Sequence, residues 1–287
     1  MMPGTWPPGT APLLSLPGML QGAPLISRMN PIPRVNVLGC GISAINLKVA
    51  EDAVLEAVRE KRKGYVTVTG VHGVTEAQRD PAFKRILNES FLTTPDGMPM
   101  VWCGWKAGFK EMDRVYGPDL MLRVFERSVE HGIRHFFYGG KEGVAETLKA
   151  KLEAKFPGVQ ISGTYCPPFR ELNDHERAAL QRMVSEQKPD IVWVGLSTPK
   201  QERFMVRYLP LLDTTLMFGV GAAFDFHAGS VPQAPRWMQR AGMEWFYRLT
   251  KEPKRLWKRY LINNPLFLWR IMCQWTGLKR YPAPVAA

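Results

Sequence analysis

Four cysteines, Cys40, Cys103, Cys166 and Cys273, are scattered through the 287 residues, and no two form a CxxC pair. A disulfide framework and the usual zinc-ligand spacings are thereby excluded, and a reducing compartment is expected. Long apolar runs are missing too: no segment reaches the roughly 18 uninterrupted residues of a membrane span. Residues 1–33 have no charge before Arg28, but they carry eight prolines and no basic n-region, so neither a span nor a signal peptide fits. A disordered, proline-rich leader is expected there, with Met29 a candidate start. No internal repeat is visible. Acidic residues are scarce at the C-terminal end. Residues 236–287 hold 11 basic and two acidic side chains, so they supply +9 of the total +12. Such a segment calls for an anionic partner: a phosphate ligand, a membrane surface or nucleic acid.

What is present is a foldable chain, 45% hydrophobic and 22% charged. Val35–Leu38, Tyr65–Val68, His135–Tyr138, Val159–Ser162, Ile191–Val194 and Leu216–Val220 read as strands. Between them Val49–Arg59 and Val144–Lys155 have helical spacing, with Asn46 a plausible cap for the first. Strand, glycine turn and helix in alternation predict an α/β fold with a mostly parallel sheet. That domain is expected over residues 34–229, followed by a basic, Trp-rich appendage over 230–287.

Several segments have chemistry to offer, each beside a plainer alternative. Gly39-Cys40-Gly41-Ile42-Ser43-Ala44 matches GxGxxA after a strand, the mark of an NAD-dependent oxidoreductase. The helical periodicity starts only near Leu47, however, and no acidic residue stands at the ribose position. Pro95-Asp96-Gly97 is either a turn or a carboxylate at a strand end. Gly139-Gly140-Lys141-Glu142-Gly143 is either a phosphate-binding helix start or a plain connection. Pro199-Lys200-Gln201-Glu202 opens a helix at the carboxyl end of a strand, where ligands bind in open sheets. On an extended segment Asp225 and His227 would point the same way, as a structural pair more than a metal site. The basic and aromatic residues from Glu244 to Trp269 suit nucleic acid, a membrane surface or phosphate recognition.

Taken in order, these motifs resemble the WecG/TagA/CpsF glycosyltransferases (glycosyltransferase family 26). The resemblance runs from about Arg34 to Leu261 and rests on Val37-Leu38-Gly39, Thr69, Pro95-Asp96-Gly97, Gly117-Pro118-Asp119-Leu120, Gly139-Gly140, Phe156-Pro157-Gly158, Pro199-Lys200-Gln201-Glu202, Gly219-Val220-Gly221 with Phe224-Asp225, Ala234-Pro235, and Glu244-Trp245 through Arg255. After Thr69 the family usually has Asn two residues on; here the run is Gly70-Val71-His72, with His72 the substitute at the acceptor.

The resemblance implies an α/β, Rossmann-like, mostly parallel sheet with helices on both faces and a basic helical C-terminal appendage. It also implies inverting transfer of a hexose or N-acetylhexosamine from a UDP-sugar donor to a sugar on a polyprenyl diphosphate, in exopolysaccharide or cell-surface polysaccharide synthesis. It implies Asp96 as general base, with Arg248, Arg255 and Lys258 or Arg259 closing over the diphosphate. Gln201 is the implied donor contact, beside Lys200 and Glu202, with Thr69, His72, Gly139, Gly140 and Asp225 as further substrate contacts. With arginine as the leaving-group cation and no DxD-type motif in a suitable loop, neither a metal nor another cofactor is expected. The partners implied are the two substrates and an anionic membrane surface, not nucleic acid. The place implied is peripheral, on the cytoplasmic face of the bacterial inner membrane. UDP-glucose is the first donor to try.

Overall fold

The computed structural model describes residues 32–283, so nearly all of the expected leader lies outside the described residues. The chain begins with a hairpin, β1 (Arg34–Val37) and β2 (Cys40–Ser43). Next come α1 (Leu47–Arg59), β3 (Gly64–Thr69), α2 (Val71–Ala77), α3 (Pro81–Glu89), β4 (Leu92–Pro95) and α4 (Met98–Lys106). They are followed by α5 (Gly117–His131), β5 (Arg134–Gly139), α6 (Val144–Lys155), β6 (Gln160–Tyr165), α7 (Asp174–Gln187), β7 (Ile191–Gly195), α8 (Lys200–Tyr208) and β8 (Leu216–Gly219). Four helices close the chain: α9 (Ala223–Ala228), α10 (Arg236–Arg240), α11 (Glu244–Lys251) and α12 (Pro253–Trp275).

Six strands form one all-parallel sheet in the order β4-β3-β8-β7-β5-β6. Strand side chains alternate between its faces, and the sequence obeys that period. Trp193, Leu216 and Phe218 join α1, α5, α6 and α9 in one core, while Val192, Val194 and Met217 join α7 and α8 in the other. The doubly wound α/β sheet expected from the sequence is therefore present. From β5 the chain winds outward to β6, whereas from β7 it winds the other way to β8. Neighbouring β5 and β7 thus make a switch point, and ligands bind outside the carboxyl ends of strands at such points.

The glycine-rich segment at residues 39–44 is not a dinucleotide fingerprint. Leu38 and Gly39 take φ of 54° and 82°, a two-residue turn that sends the chain straight back into β2. A strand stands where a phosphate-binding helix would have to start, which removes the basis of the oxidoreductase alternative. The hairpin also lies outside the main sheet. It covers the β4 edge, where Ser43 Oγ accepts from Thr93 N at 3.1 Å, and Asn88 ties its turn to α3 through Gly39 O (3.0 Å) and Gly41 N (2.9 Å).

A third apolar cluster lies under this hairpin. Val35, Val37 and Ile42 meet Val74, Phe83 and Met100 there, together with Phe267 and Ile271 of α12. The last turn of α12 and the stretch after it are fastened to the same hairpin. Gln274 accepts from Leu38 N and donates to Asn36 O, both at 2.8 Å, and Tyr281 O accepts from Asn36 Nδ2 at 2.9 Å. Among the described residues no helix is long and apolar enough to cross a membrane.

Candidate active site

The loops after β3, β4, β5, β7 and β8 meet at the carboxyl edge of the sheet. Thr69 and Pro95 are register partners at the ends of β3 and β4, and Asp96 N donates to Thr69 O at 3.1 Å. Gly70 is pressed against this loop: a Cβ there would lie 2.7 Å from the Asp96 carbonyl oxygen and 3.6 Å from its Oδ2. Only glycine allows so close an approach, so the β3 and β4 loops jointly aim the Asp96 side chain.

The charges of three guanidiniums act on that carboxylate: Arg114 from the loop before α5, Arg248 from α11 and Arg259 from α12. Burial pushes the Asp96 carboxyl above its ordinary range, and the three arginines only partly offset the shift. Glu244, the first residue of α11, behaves alike: burial and the Asp96 charge raise it, while Arg114, Tyr116 and Arg248 pull it back. Arg114 stacks 3.9 Å over the Tyr116 ring, gives Nη1 to Gln239 Oε1 at 2.6 Å and pairs through Nη2 with Glu244. Sequence reasoning missed Arg114, because its fixing partners are 125 and 130 residues downstream and no local motif surrounds it.

Arg259 links this cluster to the Pro199-Lys200-Gln201-Glu202 segment, since it also faces Glu202 and His72. Glu202 Oε1 accepts from Thr198 Oγ1 (2.8 Å) and Gln201 Nε2 (3.0 Å). Burial raises the Glu202 carboxyl against those hydrogen bonds and the Arg259 charge. Gln201 Oε1, Glu202 Oε2, Arg248 Nε and Arg259 Nε are all buried without a hydrogen-bond partner among the described residues. Capacity left over in this way suits a polar ligand. His72 Nδ1 meets Asn263 Nδ2 of α12 at 3.1 Å, with the Thr198 carbonyl also facing the ring. Burial, with Arg259 adding to it, holds this imidazole at about 3, so it is neutral and accepts from Asn263.

The remaining sequence-predicted residues are spread more widely. Gly139 and Gly140 sit at the β5–β7 switch point, where Gly140 N donates to Gly195 O at 2.9 Å. Lys200 is exposed, its ammonium 4.9 Å over the Phe169 ring. Asp225 and His227 lie on the helix α9 and not on an extended segment, so they do not point the same way. The Asp225 carbonyl instead closes that helix, accepting from Ser230 N at 2.9 Å, and His227 Nε2 meets Pro118 O at 3.0 Å. Nor do Arg248 and Arg255 share a continuous helix, because the backbone turns at Glu252 (φ −133°, ψ 57°) before Pro253. Arg255 pairs with Glu252 at 2.6 Å, and Lys258 is exposed over the Trp257 ring. Of the four basic residues expected at the diphosphate, the structure brings Arg248 and Arg259 to Asp96.

The chain is a glycosyltransferase. The profile of the Glycosyl transferase WecG/TagA/CpsF family matches residues 35–281, and the chain belongs to that family. It is similar to a Bacillus subtilis protein named N-acetylglucosaminyldiphosphoundecaprenol N-acetyl-beta-D-mannosaminyltransferase. The two are 29% identical over 209 residues, 72% of this chain and 79% of the relative. A Bacillus spizizenii protein of the same name is 31% identical over 207 residues, 70% of this chain and 77% of that one.

Proposed function

We propose that this enzyme moves a hexose or N-acetylhexosamine from a UDP-sugar to a sugar carried on a polyprenyl diphosphate, with inversion, in building a bacterial exopolysaccharide or other surface polysaccharide. The reading is carried by Asp96, a base ringed by Arg114, Arg248 and Arg259 at the carboxyl edge of the sheet. The named acceptor of both relatives, a diphosphoundecaprenol-linked N-acetylglucosamine, supports the lipid-linked acceptor. The N-acetylmannosaminyl group that both relatives are named for transferring supports testing an N-acetylhexosamine donor beside UDP-glucose.

In this reaction Asp96 takes the proton of the acceptor hydroxyl while its oxygen attacks the anomeric carbon. The bond from that carbon to the β-phosphate oxygen breaks, and the electron pair leaves with UDP. Arg248 and Arg259 face the charge that develops there. A carboxyl raised by burial is a stronger base than one in water, which suits it to an alcohol proton. The test pairs a thermal-shift measurement with turnover. UDP should raise the melting temperature of the wild type and of Asp96→Asn alike, while turnover in the variant falls by about 10²–10⁴. Near-normal turnover in Asp96→Asn would remove it as the base. Retention on oligonucleotides with no UDP shift would favour a nucleic-acid partner.

Attachment to an anionic membrane, on its cytoplasmic face, belongs to the same proposal, because the acceptor's polyprenyl chain stays in the bilayer. On α12, Trp257, Leu261, Leu268, Met272 and Trp275 recur at helical spacing and are all exposed. The Lys106 ammonium of α4 lies 5.1 Å over the Trp275 ring and brings a basic group to the end of that stripe. An apolar stripe with basic neighbours is what an interfacial helix presents to anionic lipid.

A further inference from the structure

Two carboxylates and three guanidiniums meet at the active site, and they are not paired evenly. Arg114 is held at three points, the Tyr116 ring, Gln239 of α10 and Glu244 of α11, and its side chain is only 10% exposed. Among the described residues the Asp96 carboxylate accepts no hydrogen bond, although Arg114 is one of its neighbours. From these contacts we infer that Glu244 is a positioning residue that draws Arg114 away from Asp96 and so keeps the base free to take a proton.

The argument follows from what an unrestrained arginine does beside a carboxylate. A guanidinium prefers a bidentate pair, which occupies both carboxylate oxygens and lowers the carboxyl pKa by about 1–3 units. An Asp96 engaged in that way would be a weaker base with no lone pair aimed at the acceptor. Glu244 offers Arg114 another carboxylate, Gln239 a second acceptor, and Tyr116 fixes the plane of the fork. The groups facing Asp96 are Arg114, Arg248 and Arg259, with Tyr116 and Glu244 also within its field. Of these, Arg248 and Arg259 remain to meet the diphosphate. Glu244 and Gln239 both come from the segment after Gly229, so the catalytic carboxylate has its working form only when that segment is seated.

The inference rests on Asp96 being the base, and the test separates the two. Turnover is measured against pH for the full-length wild type, Asp96→Asn, Glu244→Gln, Arg114→Gln and the double variant Glu244→Gln/Arg114→Gln. In Glu244→Gln the freed Arg114 turns to Asp96, so the acid limb should move about one pH unit lower and the plateau should fall about tenfold. The shift must vanish in the Arg114→Gln background. A limb that does not move, or a shift of equal size with Arg114 absent, overturns the inference; the latter would mean that only the lost Glu244 charge mattered. Asp96→Asn that keeps the wild-type limb overturns the base assignment instead. Should Glu244→Gln fold poorly, Gln239→Met removes the other acceptor and should move the limb the same way by less. An unmoved limb there overturns the inference equally.

Discussion

The His72 imidazole, in the first turn of α2, is joined to the Asn263 amide of α12 at 3.1 Å across 191 residues of sequence. Asn263 is 4% exposed, so its amide nitrogen has been withdrawn from water and given one ring nitrogen in exchange. Removing one partner of such a pair leaves the other unsatisfied, at a cost of about 1–3 kcal/mol. His72→Ala and Asn263→Ala should each destabilise the fold by that amount. Together they should cost less than their sum by about 0.5–1.5 kcal/mol. Urea unfolding of the four chains measures this; strict additivity would show that the contact contributes nothing.

Arg259 and Lys258 are neighbours in sequence with opposite surroundings, one facing Asp96, Glu202 and His72, the other exposed over Trp257. Arg259→Ala should lower kcat by about 10²-fold, the usual scale for losing one donor to developing charge. Lys258→Ala and Arg255→Ala should stay within about threefold, since these side chains lie in solvent where charge is screened. Equal losses from Arg259 and Lys258 would contradict this geometry.

Acid should weaken the protein through two imidazoles. His72 and His135 are both lowered from 6.5 to about 3, each mainly by burial. Each is neutral in the native state but protonated in the unfolded chain below about 6.5, so the unfolded chain binds the extra protons. Their contribution to stability is complete above that value and is lost as pH falls toward about 3, at up to about 1.4 kcal/mol per pH unit for each ring. Replacing His135 by Gln removes one of the two. The stability gap between wild type and His135→Gln should therefore close by at least about 1 kcal/mol between about pH 7 and about pH 5. A constant gap in denaturant titrations would rule it out.

The exposed stripe on α12 makes a further prediction. The full-length protein should co-sediment with anionic liposomes at low salt and be released at high salt. Trp257→Ser with Leu268→Ser should reduce binding at least about tenfold while leaving the melting temperature nearly unchanged, because both side chains are exposed. Undiminished binding by this double variant would assign attachment to another surface.

The legible parts of the molecule were those fixed by near neighbours. Helix α6 has the bounds its periodicity predicts, Val144–Lys155, and Asn46 caps α1 by accepting from Val49 N at 3.1 Å. Central strands such as Ile191–Gly195 show themselves because both faces are buried. The first hairpin stayed hidden because its turn puts a leucine at φ 54°, where Asn or Gly would have been the signal. The place of Asp96 at the carboxyl end of β4 was legible from its Pro-Asp-Gly setting. Arg114 was not, since its position depends on Gln239 and Glu244 far along the chain. The break at Glu252 was marked in the sequence by Pro253.

The clasp between Gln274, Tyr281 and the first hairpin has a consequence for biosynthesis. Asn36 and Leu38 leave the ribosome well ahead of their partners, which follow 236 to 245 residues later. The same late stretch carries Arg248 and Arg259. While that stretch is still to be made, the sheet can gather its strands and Asp96 can reach its place, but the hairpin lacks its outer partners and Asp96 lacks two of its three neighbouring cations. The outer contacts of the hairpin and the charges around Asp96 are therefore completed together, once that stretch has emerged and folded back onto the sheet.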